Sequence, residues 1–309
     1  MRIAITTSSF AVYGRAPLEL LERAGAEIVL NPHGRKLTPE ETVALCADCE
    51  GILAGTESLS CDVLAKLPRL KAISRCGVGM DSVDQTACAA QGITVRNTPF
   101  GPTRSVAELT VGLILDLLRQ VTRMDREMRG GVWKKRMGNL LLGKRVGIIG
   151  FGRIGQATGE LLSALGAEIA YADPCVECVL GERMEIDSLL AWADIVSLHC
   201  SKPGDACYLI DAERLRLMRP GTWLVNAGRG GLVDEEALHA LLASGHLAGA
   251  AMDCFSAEPY KGPLAELDNI IITPHIGSYA KEGRSRMEFD AAKNLLEALG
   301  VPVPPEVRP

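Results

Sequence analysis

Short apolar runs, separated by stretches of helical periodicity, recur along the whole chain. In the first hundred residues the runs 3–6, 28–30, 52–54, 72–74 and 93–95 read as strands, and 17–24, 39–46 and 61–67 read as helices between them. This alternation predicts parallel βα units, with a sheet covered on both faces. The rhythm resumes further on, with strands expected over 146–149, 168–172, 195–199, 223–226, 248–253 and 270–273. Helices are expected over 211–218, 234–244 and 283–299. Between the two series lies one long helical pattern, 106–129, with a wide apolar face made by Leu109, Val111, Leu113, Ile114, Leu117 and Leu118. Ser105 and Glu108 have the spacing of a capping box at its start, and Gly130-Gly131 ends it. Such a helix is expected to brace two domains or to pack on a second subunit. The proline-rich end, 301–309, is expected to lack regular structure.

The most informative segment is 144–173, KRVGIIGFGRIGQATGELLSALGAEIAYAD. An apolar strand enters a turn with Gly150, Gly152 and Gly155, a helix follows, and a second strand ends on Asp173, 18 residues beyond Gly155. In that context the glycines have separate uses: a tight turn, close approach of the backbone to a pyrophosphate, and close helix–strand packing. The helix N-terminus adds unpaired N–H groups and a positive dipole end. A carboxylate at Asp173 accepts from a ribose diol and repels a 2′-phosphate, and residues 174–177 supply no arginine or lysine to hold one. NAD is therefore expected rather than NADP. The expected fold is α/β with two Rossmann-like, doubly wound parallel-sheet domains. The cofactor domain, 99–285, is inserted into a substrate domain formed by 1–98 and 286–309.

Composition narrows the class. With 309 residues, 47% hydrophobic and 23% charged, the chain suits two ordinary globular domains. A net charge of −5 gives no basic footprint for nucleic acid. No apolar stretch reaches the ~20 residues of a membrane span, and MRIAITTSSF reads as a first strand and not as a signal peptide. The cytoplasm is the expected compartment. Among ten cysteines, Cys46 with Cys49 and Cys175 with Cys178 have CxxC spacing. A four-thiolate zinc site is the alternative to scattered reduced thiols; the pairs lie in different expected domains, so no metal is expected.

Three groups of different chemistry follow three successive strands of the second series: Arg229 in VNAGRGG, Glu258 in SAEP and His275 in TPHIGSYA. Strand carboxyl ends are where such a sheet places side chains at a cofactor. A histidine titrating near neutrality exchanges a proton with a hydroxyl, a neighbouring glutamate stabilises its imidazolium, and an arginine holds a carboxylate by two hydrogen bonds. His199, at another strand end, is a candidate cofactor contact. His33, His239 and His246 have no comparable partners.

With these motifs on the page, the chain resembles the D-isomer-specific 2-hydroxyacid dehydrogenases. The resemblance runs through RCGVGMDSVD (75–84), SVAELTVGLILDLLR (105–119), GFGRIG (150–155), NAGRGG (226–231), AMDCFSAEP (251–259) and PHIGSYA (274–280). It implies an NAD-dependent enzyme with Arg229, Glu258 and His275 in the catalytic positions. It implies cofactor contacts from Gly150, Gly152, Arg153, Ile154, Gly155, Asp173, His199, Cys200, Ala227, Gly228, Gly277 and Val106, with Asp253 at the nicotinamide carboxamide. It places a substrate carboxylate on the loop of Cys76, Gly77, Val78 and Gly79. Within the family the chain looks most like the phosphoglycerate dehydrogenases, in a short form without a regulatory domain. Arg75 then fits an arginine used for a phosphorylated substrate. GILAGTES (51–58) departs from that pattern, because it has no basic residue where a phosphate-binding arginine is expected; Arg104 is a weak substitute. Cys254 replaces an aliphatic residue, with a small effect expected. The implied substrate is a small 2-hydroxy or 2-oxo acid, such as 3-phosphoglycerate, hydroxypyruvate or glyoxylate, and the implied assembly is a homodimer. Alternatives on the same fold are a phosphite-type dehydrogenase and an NAD-sensing, corepressor-like interaction protein; Glu258 argues against a formate enzyme, which pairs its histidine with glutamine.

Overall fold

Strands that are covered on both faces read as unbroken apolar runs, and the runs here become two all-parallel sheets. The computed structural model describes residues 1–202 and 208–305 and divides into two units, Met1–Thr103 with the segment from Ser278 onward, and Arg104–Gly277. Residues 306–309 of the proline-rich end lie outside the described residues, as does Cys207.

The first unit holds β1 (Arg2–Ile5), β2 (Glu27–Leu30), β3 (Gly51–Ala54), β4 (Ala72–Arg75) and β5 (Thr94–Asn97), in the order β2-β1-β3-β4-β5. This is the doubly wound order whose reversal lies between β1 and β3. On one face Ile3, Ile5, Leu53 and Ala72 pack with Leu20 and Leu21 of the helix Ala16–Arg23 and with Met287, Ala291 and Leu295 of the C-terminal helix Lys281–Ala298. On the other, Ala4, Ile52, Ala54 and Ile73 meet Cys46, Val63, Leu64 and Leu67. The helix Pro39–Cys46 starts with a reciprocal cap between Thr38 and Glu41. A helix over Gln85–Ala90, capped by Asp84 at 2.9 Å, was not expected; six residues are too few to display a helical period.

The second unit holds β6 (Arg145–Ile149), β7 (Glu168–Ala172), β8 (Glu182–Arg183), β9 (Ile195–Leu198), β10 (Trp223–Asn226), β11 (Gly249–Met252) and β12 (Ile270–Ile272). Their order, β12-β11-β10-β9-β6-β7-β8, reverses beside β6, so a switch point opens at the carboxyl ends of β6 and β9. The helix Ile186–Trp192 and the two-residue β8 were also missed, both being too short for a periodic signal.

The long helix expected over 106–129 is two helices, Gly101–Arg119 and Val121–Arg129. The first begins upstream of Ser105, so no capping box forms there; Pro102 sits in the first turn, where a missing N–H costs nothing. The break is at Gln120, whose φ of 55° is left-handed. Asp116 fixes it: its carboxylate accepts from Thr122 N at 2.8 Å and from the Thr122 hydroxyl, and so caps the second helix from the last turn of the first.

Among the described residues no helix is long and apolar enough to cross a membrane, and no group of three or more His, Cys, Asp or Glu is placed to hold a metal ion. Cys46 and Cys49 lie in the core of the first unit, and Cys175 and Cys178 lie in the second, on the loop after β7.

Candidate active site

Apart from Val106, on the helix Gly101–Arg119, the expected functional groups of the second unit follow the carboxyl ends of parallel strands. The glycine turn follows β6, Asp173 follows β7, His199 and Cys200 follow β9, Ala227, Gly228 and Arg229 follow β10, Asp253 and Glu258 follow β11, and His275 and Gly277 follow β12.

The turn after β6 is built for a dinucleotide. Gly150 has a φ of +87°, and a Cβ on Gly155 would lie 2.2 Å from the Gly150 carbonyl oxygen, so the helix Arg153–Ala164 can begin against the strand end only with glycine there. Gly152, the N-cap of that helix, faces open space and has no side chain to cap it, an arrangement that suits an anionic ligand. His199 sits beside it. Its Nε2 is 2.8 Å from Ser197 Oγ, burial pushes its pKa down to about 4, and its buried Nδ1 has no hydrogen-bond partner among the described residues. A neutral imidazole with an unmet nitrogen fits a bound polar ligand. These features fit NAD.

Asp173 is held by backbone amides on both sides. Its Oδ2 accepts from Phe151 N at 2.8 Å and its Oδ1 from Cys175 N and Val176 N at 2.8 and 3.1 Å, so this carboxylate ties the glycine turn to the next strand end. The structure corrects one part of the specificity argument. A cation does reach this loop: Arg183, on β8, donates to the Pro174 carbonyl at 3.1 Å and pairs with Glu177 at 3.8 Å. Any discrimination against a 2′-phosphate would then fall to Asp173 itself. Asp173→Ala is expected to raise the NADPH-to-NADH ratio of kcat/KM at least tenfold; an unchanged ratio in steady-state assays would remove Asp173 from cofactor selection.

The catalytic candidates are held in place from below. Asn226, fully buried at the end of β10, donates to Arg229 O at 2.9 Å and accepts from Gly228 N at 3.1 Å, shaping the turn that presents Arg229. Arg229 Nη1 donates to Gly228 O at 2.9 Å. A Cβ on Gly230 would lie 1.9 Å from the Phe255 carbonyl oxygen, so the loops after β10 and β11 touch through backbone at this point. Asp253 is 0% exposed and holds the loop after β12: its Oδ1 accepts from the Thr273 hydroxyl at 2.6 Å and Ile276 N at 2.8 Å, and its Oδ2 from Gly277 N at 2.8 Å. Within that loop His275 takes a φ of 54°, a left-handed conformation uncommon outside glycine. Val106 closes over Gly277, within 3.2 Å of where a Cβ would be.

Glu258 and His275 come together as expected. His275 Nδ1 lies 3.0 Å from both carboxylate oxygens, and Glu258 Oε1 also accepts from Phe255 N at 3.1 Å. The proton on Nδ1 is thereby fixed toward Glu258, and Nε2 is the nitrogen that could exchange a proton with a ligand. Hydrogen bonding to Cys254, and then to Glu258, raises the His275 pKa to about 10. Cys254 is thus more than a small apolar filler: it is buried, its Sγ lies 3.5 Å from Gly228 O, and it pushes the imidazole pKa up. Sequence reasoning named neither Cys254 nor Asn226 as functional; an asparagine that ends an apolar strand just before a glycine is the signal of a side-chain-stabilised turn.

In the first unit, Arg75 ends β4 and the loop 76–79 follows. Gly77 N donates to Thr98 Oγ1 at 2.8 Å, and Asn97 Nδ2 donates to Val78 O at 2.8 Å, so β5 braces the loop and commits the Gly77 amide. The Arg75 guanidinium folds back, donating to the Cys76 carbonyl and lying where a Cβ of Gly77 would be. Arg104 is exposed and pairs with Glu108 at 2.7 Å.

Comparison with known proteins agrees with this geometry. A sequence model described as "D-isomer specific 2-hydroxyacid dehydrogenase, NAD binding domain" matches residues 111–277. A D-3-phosphoglycerate dehydrogenase of Mycobacterium leprae is 39% identical over 272 residues, covering 84% of this chain and 52% of that protein. A glyoxylate reductase of Thermofilum pendens is 40% identical over 264 residues, covering 81% and 78%. A crystal structure of a Thermus thermophilus protein superposes with a TM-score of 0.91 at 35% identity over 99% of both chains. The chain spans about half the length of the mycobacterial phosphoglycerate dehydrogenases it matches.

Proposed function

Because the chain belongs to the D-isomer-specific 2-hydroxyacid dehydrogenase family, we propose that it interconverts a 2-oxo acid and a D-2-hydroxy acid with NADH or NAD as its hydride partner. The observation that carries this reading is the pairing of Glu258 with His275 Nδ1 at 3.0 Å, past the same sheet whose first turn fits the dinucleotide. Bound NAD supplies the hydride exchange itself. The turn 150–155 with Arg153 and Ile154 would hold its phosphates, Asp173 its ribose, and Val106, His199, Cys200, Ala227, Gly228, Asp253 and Gly277 the remainder. His275 donates a proton to the carbonyl oxygen during reduction and removes it during oxidation. Glu258 steadies the imidazolium, and Arg229 clamps the carboxylate and polarises the carbonyl beside it. In the first unit, the 77–79 loop is assigned to the substrate carboxylate and Arg75 to the part of the acid beyond it.

A panel of hydroxypyruvate, glyoxylate, pyruvate, 2-oxoglutarate and phosphohydroxypyruvate tests the reading by NADH oxidation. Reduction of at least one member is expected; binding of NAD with no turnover on any would overturn it in favour of a sensor.

We assign the contact between two copies of the chain to the segment 132–142. It is pinned at several points, by Arg136 on Glu127 at 3.0 Å, by Gln120 on Met137 O at 3.4 Å and by Asn139 N on Leu118 O at 2.8 Å. Yet Trp133 is 80% and Met137 92% exposed, with Leu140 and Leu142 also outward. An ordered segment with this much outward apolar surface fits a self-contact. Light scattering is expected to give about twice the 33.0 kDa chain mass, and Trp133→Asp combined with Met137→Asp to halve it. A monomeric wild type would refute the assignment. The described cysteines are all unpaired thiols, which fits a reducing cytoplasm.

A further inference from the structure

The loop after β3, in the segment that lacks the basic residue expected of a phosphate site, carries a buried acid. Ala54, the last residue of β3, stands opposite Arg75 in the parallel register, and Cys76 N donates to Ala54 O at 2.9 Å, so the loops after β3 and β4 leave the sheet side by side. In the first of them Glu57 turns inward and is 1% exposed. Its Oε1 accepts from Gly55 N at 3.0 Å and from the Thr6 hydroxyl past the end of β1. A Cβ on Gly55 would lie 2.8 Å from Glu57 Oε2, so the carboxylate packs directly on that backbone. A buried acid fixed by two donors and excluded from water keeps its field, because solvent and salt screen it little.

The cations beside this loop are already engaged. Arg284 and Arg75 act on the buried Cys76 thiol with positive sign, and Glu288 and Glu57 with negative. Arg284 is committed elsewhere, to Glu288 at 2.6 Å and to Ser9 O at 2.7 Å, while Glu288 also accepts from Ala11 N at 2.8 Å. Arg75 is turned back onto the Cys76 carbonyl. Both cations of this group are thus held by partners within the protein. A carboxylate, with one charge, can be held by backbone amides of the adjoining loop. A phosphate monoester, with nearly two further charges at neutral pH, needs cations free to pair with it, and Arg284 and Arg75 are already engaged.

We propose that Glu57 is a specificity-determining residue that rejects phosphorylated substrates, and that the physiological acid is a small, unphosphorylated 2-oxo or 2-hydroxy monocarboxylate. This rests on the dehydrogenase reading above and narrows its substrate class. Rejection by a fixed like charge is a common route to selectivity when two substrates share their reacting end.

The test compares hydroxypyruvate with phosphohydroxypyruvate, which differ only in the phosphate, as substrates for NADH oxidation. The wild-type protein is expected to favour hydroxypyruvate at least tenfold in kcat/KM. Glu57→Gln, which keeps an oxygen for Gly55 N and Thr6, is expected to move that ratio about tenfold toward the phosphorylated member, with folding checked by thermal melting. A wild-type preference for phosphohydroxypyruvate overturns the proposal whether or not the variant folds, and leaves the dehydrogenase reading standing. So does a folded Glu57→Gln with an unmoved ratio. Failure to reduce either compound, or any other 2-oxo acid, overturns both.

Discussion

Replacement of His275 by alanine is expected to lower kcat for 2-oxo acid reduction by roughly 10²–10⁴-fold, the usual worth of a positioned general acid, with little change in NADH binding. The loss is one of proton transfer, so it should appear in kcat and kcat/KM together. The paired carboxylate and thiol make the effect depend on pH in a defined sense. With its pKa raised to about 10, His275 is an imidazolium at neutral pH, the form that donates to a carbonyl oxygen. Reduction should therefore hold level through neutrality and fall as pH climbs toward 10, while oxidation, which needs the neutral imidazole, should rise over the same interval. Glu258→Gln removes a negative neighbour and lowers that pKa, shifting both limbs toward acid. Retention of most activity in His275→Ala, or limbs that stay in place in Glu258→Gln, would show that the proton comes from elsewhere.

The second large effect is expected at Asp253, which lies beneath the reacting groups. Asp253→Ala removes the acceptor for Thr273, Ile276 and Gly277 at once. A buried N–H left unpaired costs roughly 1–3 kcal/mol, and two are involved, so thermal melting should drop by many degrees. The same loss releases His275 from its left-handed backbone, and misplacement of a catalytic group by about 1 Å can cost on the order of 10²-fold in rate. Asp253→Asn should fall between, keeping one accepting oxygen. The split between constants separates two roles. A clamp on the His275 loop predicts a fall in kcat together with melting temperature, whereas a carboxamide contact alone predicts a higher KM for NADH at an unchanged melting point. A stable Asp253→Ala protein with normal kcat would refute the clamp.

Which of these features could be read from the sequence follows from how far apart the interacting residues are. The strands were legible because both faces of each sheet are covered, so runs such as Val146–Ile149 are apolar without interruption. Gly150, Gly155 and Asp173 were legible because one local unit, strand–turn–helix–strand, contains them all. Arg229, Glu258 and His275 were legible because each follows its own strand by a few residues. What escaped depends on partners distant in sequence or on a single side chain. Arg183 reaches the Asp173 loop through a two-residue strand with no pattern of its own. The helix break at Gln120 depends on Asp116 choosing Thr122 as a partner. Thr98 occupies the Gly77 amide from 21 residues away. Glu57 would pass for a solvated loop acid until its burial is seen.

The contact of Gly230 with the Phe255 carbonyl has a consequence for how this protein tolerates change. Nineteen of the twenty amino acids carry a Cβ, and at position 230 that atom falls 1.9 Å from a backbone oxygen that cannot step aside alone. Any replacement must push the turn bearing Arg229 away from the loop bearing Glu258. Position 230 therefore has the mutational intolerance of a reacting residue while contributing no side-chain atom to the chemistry. In lineages descended from this chain it is expected to stay fixed as long as the reaction is under selection, and to drift once the reaction is lost.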